Sequence, residues 1–182
     1  VMTAASHCYI GIKRNSESTG QVGLEVHGGT SGKIWYMYQP QSTDDLRFYD
    51  ETLDADVLTL QAGGKVGIGT ASPDKELHIH KASGATIALT TTDTIIDDGD
   101  DLGHIYFGGN DATISAGFSY GAFIRGEAAG NWDVDNVDDS PAELQFFTQT
   151  NGADTNGFDA PRMVIDKTGN VGIGTDSPSV TL

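Results

Sequence analysis

Along the 182-residue chain, apolar residues fall in short bursts at every second position, broken by Gly, Asp, Asn and Ser. Period two is the signature of extended chain, because successive side chains of a strand face opposite sides. It predicts strands at Tyr9–Lys13, Gln21–His27, Lys33–Gln39, Asp45–Asp50, Leu77–His80 and Thr86–Thr90, then at Leu102–Phe107, Ala122–Glu127 and Ala142–Thr150. Segments this short, bounded by turn residues, predict an all-β fold of antiparallel strands. No run of ten or more residues carries a helical period. The most helix-like stretch, Asp133–Leu144, is interrupted by Pro141 and dense in Asp.

A repeat organises the pattern. Gly64-Lys65-Val66-Gly67-Ile68-Gly69-Thr70-Ala71-Ser72-Pro73 returns 105 residues later as Gly169-Asn170-Val171-Gly172-Ile173-Gly174-Thr175-Asp176-Ser177-Pro178, identical at eight of ten positions. Upstream, Leu58–Gln61 stands opposite Met163–Asp166 at the same offset, and Leu46–Tyr49 resembles Leu144–Phe147. Gly23–His27 is matched more loosely with Ala122–Gly126. Two repeated modules are expected: residues 1–76, incomplete at the N-terminus, and residues 77–182.

Each module closes on the same cassette: an apolar strand, a tight turn, a Gly-alternating strand and a Pro stop. Lys167-Thr168-Gly169-Asn170 is a hairpin signal, with Ala62-Gly63-Gly64-Lys65 as its counterpart. Alternation puts Val66 and Ile68 on one face and Gly67 and Gly69 on the other, with Val171, Ile173, Gly172 and Gly174 following suit. A glycine face within a strand predicts close approach of another strand or another chain. Pro73 and Pro178 lack the N–H that would continue a ladder.

The cassette resembles the repeat of bacteriophage tail fibres and tailspikes, often found upstream of an intramolecular chaperone domain of the endosialidase type. Three landmarks extend the resemblance over most of residues 77–178: Leu102–Phe107, Ala142–Thr148 and Pro161–Asp166. The first module matches well only near its end. The resemblance implies an intertwined, elongated homotrimer in a virion tail appendage, outside the cell. Its partners would be other copies of itself, other tail or fibre proteins, and a host-surface glycan or protein receptor. The chain begins and ends in mid-pattern, and is read as a piece of a longer polypeptide whose chaperone is cleaved, lies further on, or is lacking. The bare glycine face would suit the narrow axis of a trimer, and winding three chains together would close exposed strand edges.

Charge sharpens this picture. Ten Lys and Arg against 26 Asp and Glu leave a net charge of −16. Such a surface repels phosphates, so neither nucleic acid nor an anionic membrane is an expected partner. Three copies would carry 48 negative charges, three times the 16 of one chain, which favours solubility of an edge-rich fibre. Twenty of the acids are Asp, the turn former, as expected for short strands and many turns. Cys8 is the lone cysteine, which excludes an intrachain disulfide. No apolar run approaches the roughly 18 residues of a spanning helix.

Candidate chemistry is sparse, and no enzyme is expected. Gly64-Lys65-Val66 opens a strand, whereas a phosphate-binding loop needs Gly-Lys-Ser/Thr opening a helix. Glycan hydrolysis needs two positioned carboxylates. Asp135 and Asp139 beside Trp132 are the nearest approach to such a pair, against the plainer reading of a solvated acidic loop. A glycan-degrading tailspike is the alternative reading, and a cellular fibre or adhesin built on the same module is another. No cofactor is expected beyond a candidate metal ion. His78 and His80 share a strand face and could ligate iron, nickel or zinc, most simply if three chains brought them together. Asp97, Asp98, Asp100 and Asp101 surround Gly99 and suit calcium by chemistry, without the spacing of an EF-hand loop. The plainer readings are packed or exposed histidines and an acidic surface turn. Trp35 faces away from Tyr36 and Tyr38, and Tyr106 away from Phe107, so each pair splits between core and an exposed or intersubunit face.

Overall fold

The computed structural model describes residues 22–28, 33–110, 119–133, 139–150, 158 and 160–179. Cys8, Tyr9–Lys13 and Asp135 lie outside them. Among the described residues the protein is all-β, with eleven strands in two sheets and no helix. The chain divides into two compact units at Ile87/Ala88.

The first unit holds a six-stranded sheet: β1 Val22–Gly28, β2 Lys33–Gln39, β3 Leu46–Asp50, β4 Ala55–Leu60, β5 Val66–Ile68 and β6 Leu77–Ile79. Strands β1 to β5 form an antiparallel meander. Strand β6 runs parallel to β5, pairing Val66 with Leu77 and Ile68 with Ile79. Val66 N–H donates to Glu76 O at 2.7 Å, and His80 N–H to Ile68 O at 2.8 Å. Leu77–Ile79 was expected to open the second module; it closes the first sheet instead. The Ser-Pro stop turns the chain back along its own last strand rather than away from it.

The second unit holds an antiparallel five-stranded meander: β7 Asp101–Gly109, β8 Ser119–Ala128, β9 Ala142–Thr148, β10 Met163–Ile165 and β11 Val171–Ile173. The predicted strand at Thr86–Thr90 is absent. This segment has no ladder partner, and Leu89 lies over Gly103, where an added Cβ would sit 2.9 Å from Leu89 Cβ.

The 105-residue offset reappears in the register. Leu58, Thr59 and Leu60 pair with Ile68, Gly67 and Val66, just as Met163, Val164 and Ile165 pair with Ile173, Gly172 and Val171. Leu46 and Phe48 face Leu60 and Leu58, as Leu144 and Phe146 face Ile165 and Met163. Counting back from there, the strand equivalent to β8 is β2, not β1. The looser match of Gly23–His27 with Ala122–Gly126 is therefore one strand out, because alternation looks alike in every strand of a meander.

The glycine face is the main correction. Strand β5 ends at Ile68, and Gly69 leaves it with φ of +71°. The chain then folds over Gly67, so that a Cβ there would lie 2.4 Å from Thr70 O. At Gly172 the same contact, to Thr175 O, would be 2.6 Å. Both positions are buried by the chain's own turn, which is the close approach made there, while Gly69 and Gly174 stay exposed. The hydroxyl of Thr70 accepts from Ser72 N–H at 3.1 Å, and that of Thr175 from Ser177 N–H at 3.2 Å. Gly69 N–H is satisfied by Val57 O and Gly174 N–H by Arg162 O, both at 3.0 Å.

Candidate functional site

Each sheet has two unlike faces. On the first, Leu24, Val26, Trp35, Met37, Leu46, Phe48, Leu58, Leu60, Val66, Ile68, Leu77 and Ile79 line up across six strands. None of these side chains is buried; Leu77 is 55 % and Val26 52 % exposed. On the second sheet, Ile105, Ile124, Phe146, Met163 and Ile173 form one row. Phe107, Leu144 and Ile165 extend it on the same face. Phe107 is 54 % and Ile173 76 % exposed. Among the described residues the buried apolar side chains are Phe123, Ala128, Phe147 and Val164 in the second unit and Pro73 in the first. Among its described residues the first unit buries Asp45, Asp50, Thr59 and Pro73, but no aliphatic or aromatic side chain of its strands.

The opposite faces carry polar networks, although Arg47 Nε and Thr59 Oγ1 stay buried without a hydrogen-bond partner. In the first unit Arg47 donates to Asp45 and Asp56, each at 2.9 Å. Its guanidinium, ahead of the cost of burial and an N–H from Ala62, holds the Asp45 carboxyl below its usual range. In the second unit Arg125 donates to Gln145 Oε1 and to Asp101, and pairs with Glu127. Gln145 Nε2 donates in turn to Glu127 and Glu143. Beside this network Phe123 stacks on Phe147 with centroids 4.3 Å apart. These clusters were not legible in the sequence, because their members come from different strands and loops.

Within one chain the nominated metal ligands do not gather into one site. His78 Nδ1 lies 3.1 Å from Asp74, and the His78 and His80 ring centroids are 6.0 Å apart. Asp100 accepts from Asp97 N–H at 2.8 Å, Asp98 N–H donates to Asn131 at 3.1 Å, and Asp101 is drawn to Arg125. Among the described residues, no group of three or more His, Cys, Asp or Glu could hold a metal ion. Trp132 donates its indole N–H to Pro141 O at 3.1 Å, and Asp133 N–H reaches Asp139 O at 3.4 Å. These contacts close a loop, and Asp135, the other carboxylate of the nominated pair, lies outside the described residues.

The second hairpin turn carries an acid that the first lacks. In the second, Asp166 accepts from Thr168 N–H, Thr168 O–H and Asn170 N–H, each at 2.8 Å. Desolvation pushes its pKa up, but these hydrogen bonds outweigh it and hold the carboxyl at about 2. Gln61 occupies the equivalent place in the first. A carboxyl lowered by folding stabilises the protein above its unfolded value, near 4, and that stability is lost as pH falls toward 2. The expected outcome is a melting temperature that drops between about pH 4 and 2 less steeply in Asp166→Asn than in the parent. Parallel acid-limb profiles would contradict this.

The chain matches no protein-family model and no curated protein. Among solved structures it is similar to the carboxy-terminal domain of the bacteriophage T5 L-shaped tail fibre. That similarity covers 99 % of this chain and 91 % of the other, at 12 % identity and a TM-score of 0.38. It is also similar to the same domain with its intra-molecular chaperone domain, over 95 % of this chain and 64 % of the other, at 13 % identity and a TM-score of 0.38.

Proposed function

We propose that this chain is a structural, non-enzymatic segment of a homotrimeric phage tail fibre or tailspike, contributing to host attachment from the virion exterior. The observation that carries the reading is the uncovered apolar face on each sheet. Ordering a residue costs about 1–2 kcal/mol of backbone entropy. A unit whose described strands bury no aliphatic or aromatic side chain has little to set against that cost. Packing like faces of three copies together supplies the missing core in both units at once. The cassette and its three ordered landmarks support the phage assignment. The glycine face plays no part in assembly here; the Val66/Ile68 and Val171/Ile173 face replaces it.

Light scattering at micromolar concentration is expected to give three times the chain mass of 19.2 kDa. A monomer would overturn the trimer. Added protein should also compete with particle adsorption to the host; failure to compete would remove the attachment role.

A further inference from the structure

We propose that the recess lined by Tyr36, Tyr38, Tyr49 and Glu51 binds an alkylated ammonium cation, of the kind carried by quaternary-amine headgroups. The three rings come together because Tyr36 pairs with Tyr49 across β2 and β3, while Tyr38 lies two residues along the same face. The Tyr49 ring centroid is 6.0 Å from that of Tyr36, tilted by 55°, and 6.3 Å from that of Tyr38, at 90°. Rings at such angles form walls rather than a flat stack, and they enclose about 350 Å³ with Glu51 at the rim. That volume lies at the lower end of the range for small-molecule sites.

Charge selects the ligand class. Tyr38 donates its O–H to Asp56 at 2.8 Å, and Tyr49 donates its O–H to Asp54. A phenol that donates to a carboxylate has a more electron-rich ring, and ring faces attract cations through their quadrupole. The bond to Asp54, ahead of burial, pushes the Tyr49 phenol up to about 12, so it stays a donor at any ordinary pH. Burial, then Glu51 and Glu25, raise Tyr36 as well. Arg47 on the neighbouring row is matched by Asp45 and Asp56. Glu51 and Asp54 form no ion pair among the described residues. A neutral sugar would ask for donors, yet all three phenolic O–H groups are already engaged, Tyr38 with Asp56, Tyr49 with Asp54 and Tyr36 with Glu51. Every residue of the recess belongs to one chain and to the face opposite the apolar one, so the site stands or falls independently of the trimer.

The test is calorimetric titration of the intact protein with choline and with tetramethylammonium at constant ionic strength. The neutral isostere 3,3-dimethylbutan-1-ol serves as control. Both cations are expected to bind saturably, with the isostere at least about tenfold weaker. Tyr36→Leu and Glu51→Gln should each weaken cation binding about two- to fivefold, with far-UV circular dichroism unchanged. Glu51 lies at the exposed rim, so its variant keeps the test valid should the tyrosine variant unfold. Absence of saturable cation binding, equal affinity for the isostere, or unchanged affinity in Glu51→Gln would overturn the site.

Discussion

Replacing Ile68 or Ile105 with aspartate is expected to cost the assembled protein about 3–5 kcal/mol per chain and to release monomer. In the isolated chain Ile68 is 43 % and Ile105 50 % exposed. Substitution of so open a side chain normally moves stability by no more than about 0.5 kcal/mol. A large effect arises only if other copies cover the face. The variant then forfeits about 1.5–3 kcal/mol of apolar burial and brings an unpaired carboxylate into the interior. Ser140→Asp, exposed and off the apolar rows, should stay within about 0.5 kcal/mol. Light scattering and thermal melts at one protein concentration read both quantities, since an oligomer's melting point depends on concentration. Isoleucine variants that keep the parental mass and melting temperature would show that the apolar faces are free.

Gly67→Ala and Gly172→Ala should each destabilise by about 3 kcal/mol, the upper part of the overpacking range. The new methyl would lie 2.4 Å from Thr70 O in one hairpin and 2.6 Å from Thr175 O in the other. Both contacts are to backbone, which cannot swing aside as a side-chain end can. At Gly172 the methyl also meets Thr175 Cγ2 at 3.0 Å and Pro178 Cβ at 3.4 Å. Gly63→Ala separates sterics from backbone conformation. Its φ is +100°, but nothing lies within 4 Å of the added Cβ, so the expected cost is the smaller one of about 1–2 kcal/mol for a left-handed residue. Urea midpoints with unchanged slopes report the differences. If Gly67→Ala cost no more than Gly63→Ala, the fold-over at Thr70 would not be the reason for glycine.

Strand content was legible because period two is written within each strand. Lys33–Gln39 and Ala142–Thr148 are strands with near the boundaries alternation predicts. The cassette repeat carried further, since equal spacing between a strand, a Gly turn and a second strand requires equal hairpin register. Leu58 with Ile68 and Met163 with Ile173 meet that expectation. The direction of β6, the equivalence of β2 with β8, and the joining of Tyr49 to Tyr36 and Tyr38 were not legible. Each depends on which strand lies beside which. The two tyrosines at spacing two on β2 were the visible half of the recess; a third aromatic on the next strand was the available hint.

Local alternation thus determined that this chain is all-β, turn-rich and repetitive, because side-chain direction in a strand follows from covalent geometry alone. Tertiary structure decided which face carries which task. It turned the glycine face inward against Thr70 and Thr175, left the Ile68 and Ile173 face uncovered, and gathered the tyrosines opposite it. Those outcomes rest on contacts between residues distant in sequence, where steric fit and charge act only once the strands have come together.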